Sequence, residues 1–264
     1  MTETTTPAAA EPLTPPLALH SLRLSSPFTW LALGWRDLWA AWPQSLFFGA
    51  CFWVMAAVLM LVFRGRPEYT MTIISGCFLV GPFLTMGLYD ISRRRTAGLP
   101  QDLGASLMCW DRHIPSMAML VLVLMVLELL WGRASLVVFA VFFYTGMPTT
   151  AGVLQAVFNP NNWQFVAVYA VVGGLFAGLV FSTCVISIPM ILDRNTDAIT
   201  AGLRSIQLVL ARPGTMLLWG LLIVLVTLAA MALPWALGTL LAIPWLGHAT
   251  WHAYRQVMPA VADA

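Results

Sequence analysis

The feature that most limits this chain is a series of six apolar stretches, near 44–63, 71–91, 115–134, 163–188, 213–232 and 235–254. A hydrocarbon core ~30 Å thick is crossed by about 20 helical residues, and each stretch is long enough. Lipid offers backbone amides and carbonyls no partner, and the alternation of barrel strands is absent, so each stretch reads as a helix. The third run is longer than one crossing. Its apolar character continues past Gly132 and Arg133 to Phe143, which predicts a helix that projects beyond the membrane or bends at Gly132. The fold class is therefore all-α, a polytopic membrane helix bundle of six spans.

Composition removes the other classes. Only 9% of residues are charged and 60% are apolar, whereas a soluble domain carries about 25% charged residues. So few charges cannot cover a water-facing surface, which excludes a large soluble enzyme and a disordered protein. A net charge of +2, with no basic patch among exposed aromatics, gives no nucleic-acid footprint. Cys51, Cys77, Cys109 and Cys184 stand singly and read as small hydrophobes in helices.

Arginine placement sets the orientation. Arg23, Arg36, Arg93, Arg94, Arg95, Arg112, Arg194, Arg204, Arg212 and Arg255 fall on one side, and Arg64, Arg66 and Arg133 on the other. Positive residues stay cytoplasmic, so both termini are expected there. Residues 1–27 lack the basic start of a signal peptide and carry Pro12, Pro15 and Pro16, which reads as a disordered cytoplasmic tail. The membrane domain is expected over 28–258, with a short cytoplasmic tail at 259–264.

A repeat emerges once the spans are marked. Leu31, Trp35, Leu38 and Trp42 precede Pro43; Leu103, Leu107, Trp110 and Ile114 precede Pro115; Ile199, Leu203, Ile206 and Leu210 precede Pro213. Each set has i, i+4, i+7, i+11 spacing, which puts four apolar residues on one helical face. Segments 28–42, 102–114 and 197–212 are thus expected as three cytoplasmic interfacial amphipathic helices. Each leads into a proline that suits a first helical turn. Three hairpins of two spans each follow from this pattern.

Several stretches carry a family resemblance: Gly34-Trp35-Arg36-Asp37-Leu38, Val80-Gly81-Pro82-Phe83-Leu84, Gly87-Leu88-Tyr89 through Arg94, Pro189-Met190 with Asp193-Arg194, and Pro244 through Arg255. Together they resemble the bacterial integral membrane proteins grouped as domain of unknown function 2189. The resemblance implies a multi-pass protein of a bacterial inner membrane and supplies no activity. Only His248 and His252 stand in a span, too few imidazoles to hold haems and copper, so no cofactor is expected.

Three sets of residues could carry chemistry. Glu128 is the one carboxylate well inside a span, a functional-site hypothesis by default; Arg64 or Arg66 could pair with it. His248 and His252 share a helical face, Asp193 and Asp197 are likewise four apart, and Asp90 ends the second span. This spacing predicts a cytoplasmic-face cluster with Asp90 beside one of the histidines, without a bound metal. Gly174, Gly178 and Ser182 offer a small-residue face for helix packing, as do Gly81 and Pro82 at a kink. Among the twelve tryptophans, Trp30, Trp39, Trp42, Trp110, Trp163, Trp245 and Trp251 read as an interfacial belt.

These features support a non-catalytic accessory, assembly or scaffold protein that contacts lipid or membrane partners, with homo-oligomerisation open. A small transporter or channel using Glu128 is the alternative, and a lipid-acting enzyme built on the Asp/His cluster the third reading.

Overall fold

A computed structural model describes residues 17–66, 69–143 and 159–258. All regular structure among them is helical: α1 (Ser26–Ala40), α2 (Trp42–Gly65), α3 (Thr70–Thr96), α4 (Leu103–Leu107), α5 (Ile114–Phe142), α6 (Trp163–Cys184), α7 (Ser187–Arg194), α8 (Ala198–Ala211), α9 (Pro213–Ala232) and α10 (Thr239–Val257). Prolines open α2, α5 and α9 within their first two residues, where a missing amide hydrogen costs nothing and φ is already helical.

Five stretches among the described residues are long and apolar enough to cross a membrane: Trp42–Gly65, Thr70–Thr96, Leu103–Phe142, Trp163–Arg194 and Pro213–Ala232. The sixth expected span, 235–254, stands outside that set. Its first residues form a 3₁₀ turn, Pro234–Ala236, in which Trp235 and Ala236 have positive φ. The helix proper starts at Thr239 and carries His248, His252, Arg255 and Gln256. It packs against α1, α2, α3 and α9. A helix wrapped by protein on most sides does not need the apolar perimeter of a lipid-facing one, which is why α10 falls short in hydropathy.

Two further expectations change in detail. The run 163–188 breaks at Val185–Ile186, because Pro189 cannot donate to the Val185 carbonyl and its ring crowds it. The segment 102–114 is not one helix. Asp102 caps α4 by accepting from the amides of Gly104 (2.9 Å) and Ala105 (3.3 Å), α4 ends after five residues, and a separate 3₁₀ turn covers Asp111–His113. Ser106 in α4 is drawn onto α3, donating to Asp90 at 2.9 Å. The run 115–143 forms one helix, α5, without a break at Gly132.

Residues 17–25, expected as part of the tail, dock on the end of α10. Ala18 donates its amide to the Val257 carbonyl at 2.8 Å, Gln256 Nε2 donates to the Ser21 carbonyl at 2.7 Å, and Leu22 joins the main core. Ser26 and Pro27, also expected in the tail, open α1, and residues 1–16 and 259–264 lie outside the described residues.

The core sits at one end of the bundle, where α1, the C-terminal half of α3, α7, α8, the start of α9 and α10 meet around Trp30, Met86, Met190, Trp219, Trp251 and Tyr254. Trp30 and Trp219 pack edge to face with centroids 5.5 Å apart. Burial removes Trp30 and Trp251 from the expected interfacial belt, whereas Trp39, Trp42 and Trp163 are exposed as expected. Close packing around α10 depends on glycine: a methyl group built on Gly34 of α1 would stand 2.6 Å from the Ala249 nitrogen.

Candidate functional site

The histidines of α10 lie in a polar network that joins four helices. His248 is fully buried, with Nε2 2.9 Å from Ser45 Oγ on α2 and Nδ1 2.8 Å from Ser92 Oγ on α3. Ser92 Oγ also donates to Asp37 Oδ2 on α1 at 2.7 Å. A hydroxyl has one proton to give. Since Ser92 gives it to the carboxylate, it accepts from His248 Nδ1–H. With the ring neutral, Nε2 accepts from Ser45 and the network runs in one direction, Ser45 to His248 to Ser92 to Asp37.

Asp37 gathers the remaining donors. His252 Nε2 lies 2.9 Å from Oδ2, and Arg95 at the end of α3 is ion-paired with Oδ1. Burial would raise the carboxyl pKa, but the hydrogen bonds from His252 and Ser92 hold it below its ordinary value.

The expected partner of the histidines was Asp90; the carboxylate beside them is Asp37. Helical geometry explains the exchange. Asp90 and Ser92 lie two residues apart on α3 and so face nearly opposite ways. Ser92 points to α10, while Asp90 accepts from Arg93 Nη2 at 2.5 Å and from Ser106. Asp37 had a signal in the sequence, as an acidic residue beside Arg36 on a short amphipathic segment, but it stands off the apolar face set by Leu31, Trp35, Leu38 and Trp42, which hid it.

The other expected residues separate. Asp193 accepts from the Tyr254 hydroxyl at 2.7 Å and faces Arg255 at 3.5 Å. Asp197 caps α8 by accepting from the Thr200 amide at 2.9 Å, and its bonds to Thr200 hold its carboxyl below the ordinary range. Among the described residues no group of three or more His, Cys, Asp or Glu side chains could hold a metal ion.

Glu128 lies midway along α5 with 2% of its surface exposed. Ser75 on α3 donates to Oε2 at 3.1 Å, and Oε1 is buried with no partner. Neither Arg64 nor Arg66 reaches it. Among the described residues no neighbour lies within 4 Å of a methyl group built on Gly174, Gly178 or Gly81, so no described helix closes on these positions. Ser182 donates to the Leu179 carbonyl of its own helix, and Pro82 is buried within the unbroken α3.

No curated protein and no solved structure matches this chain. A family match covers α3 through most of α7, and leaves Gly34–Leu38 and Pro244–Arg255 outside it. Over residues 70–193 the chain matches the family described as Predicted integral membrane protein (DUF2189), and with its several apolar helices it is a multi-pass protein of the lipid bilayer that resembles that family.

Proposed function

We propose that this protein crosses a bacterial inner membrane six times, with both ends cytoplasmic, and acts as a non-catalytic accessory, assembly or scaffold protein that contacts lipid and membrane partners. The observation that carries this reading is the closure of the Asp37–Ser92–His248–Ser45 network. His248, Ser45 and Ser92 are fully buried, and each of their polar side-chain groups is engaged by another residue of the chain. Such a network holds helices together and offers no group to a substrate. The outward residues of α8 add support. Ile199, Leu203 and Leu210 form an exposed apolar stripe, while Ala201, Gly202 and Ser205 face the protein. This is the pattern of a helix lying apolar side down in the headgroup layer.

The unpartnered Oε1 of Glu128 favours a second reading, a small transporter that uses this carboxylate as a proton or cation site. Purified protein in liposomes loaded with a pH-sensitive dye separates the two. The scaffold reading expects no proton or sodium flux above empty liposomes; flux that disappears in Glu128→Gln overturns it in favour of the transporter.

A further inference from the structure

The face assigned to the cytoplasm by its arginines holds a cavity of about 830 Å³ between the ends of α3 and α7 and the turn before α5. Arg93, Arg94, Arg112 and Arg194 line it, together with Asp90, Asp111 and Asp193. The aspartates do not cancel the arginines. Asp90 is closed against Arg93 and Ser106, and Asp193 is engaged by Tyr254 and by Arg255, which is not among the lining residues. Arg94 and Arg112 are left facing one exposed carboxylate, Asp111. Two of the lining guanidinium groups are held by hydrogen bonds: Arg94 Nε donates to the Pro100 carbonyl at 3.0 Å, and Arg194 Nε to the Tyr254 hydroxyl at 3.1 Å.

We infer that this cavity binds a phosphate-bearing anion. Arginine forks match phosphate oxygens in pairs, and basic pockets between membrane helices on the cytoplasmic side bind anionic headgroups. The site deepens the lipid-contacting reading above and rests on it for its orientation. A lipid source is built into the same helices. Further along α3 and α7, towards the apolar middle of the bundle, Thr85 and Ile188 line a second, apolar chamber of about 600 Å³, suited to hydrocarbon chain. The shared chemistry of a headgroup and a free anion is the phosphate, and the test separates the sources.

The full chain is purified in neutral detergent and titrated with dioleoylphosphatidylglycerol, dioleoylphosphatidylcholine or inorganic phosphate, the last against chloride at equal ionic strength. Retained lipid is read by native mass spectrometry and stabilisation by thermal unfolding. Saturable retention of phosphatidylglycerol over phosphatidylcholine is expected, weakened about 30-fold in Arg94→Gln/Arg112→Gln. Displacement of that lipid by inorganic phosphate identifies a soluble anion as a second occupant. Asp111→Asn should tighten binding, a gain that misfolding cannot produce. Equal retention of the two lipids with no effect of phosphate overturns the inference, as does equal binding by wild type and the double variant. These outcomes are independent of ion flux, which bears on the scaffold reading alone.

Discussion

Asp37 on α1 and His252 on α10 meet at 2.9 Å across 215 residues of chain. Through Ser92 and Arg95 the same carboxylate also holds the end of α3, so one side chain ties three helices at one end of the bundle.

Removing its charge is expected to loosen that end. Asp37→Asn leaves Arg95 without its partner and weakens the bond to His252, at a cost of about 3 kcal/mol. Thermal unfolding in detergent should shift down by about 6–12 °C. Adding Arg95→Met to Asp37→Asn should lower it little further, because the two residues share one interaction.

The same carboxylate predicts an acid limit. Its pKa is depressed in the folded state relative to the ordinary 3.8, so its contribution is complete above that value and is lost as the pH falls through the folded one. The unfolding midpoint of the wild type should fall more steeply than that of Asp37→Asn as the pH is taken below about 4. Parallel curves would show that Asp37 carries no linked proton.

Glu128→Gln should leave the fold intact, because the amide oxygen still accepts from Ser75 and the volume is unchanged. Glu128→Lys should prevent assembly, since a long cation replaces an acceptor at mid-span, with a cost of about 2.5 kcal/mol or more. Monodisperse elution on size exclusion for the first variant and aggregation for the second is the expected result.

Gly34→Leu should separate α1 from α10, because even a methyl group there meets the Ala249 backbone. Overpacking of this kind costs about 1–3 kcal/mol. Limited trypsin digestion should cut at Arg36 sooner in the variant than in the wild type.

Topology is checked with reporter fusions after residues 67, 147 and 260, which should read outside, outside and inside. Any other pattern removes the six-span arrangement.

The apolar spans, the prolines that open α2, α5 and α9, and the helices before two of them are legible in the order of residues, because span length and helical periodicity are local properties. Glu128 is legible for the same reason: a carboxylate within twenty apolar residues stands out wherever the helix packs. The partner of the histidines is not legible. Asp90 is the expected one by its depth at the end of the second span, and only the rotation of α3 about its own axis turns Ser92 towards α10 and Asp90 away. The surroundings of α10 are not legible either: its polar residues find their partners on α1, α2 and α3 only once the helices pack. Side-chain direction and the identity of the surroundings are set by how helices pack on one another, and that packing depends on contacts such as Gly34 with Ala249, between residues far apart in the chain.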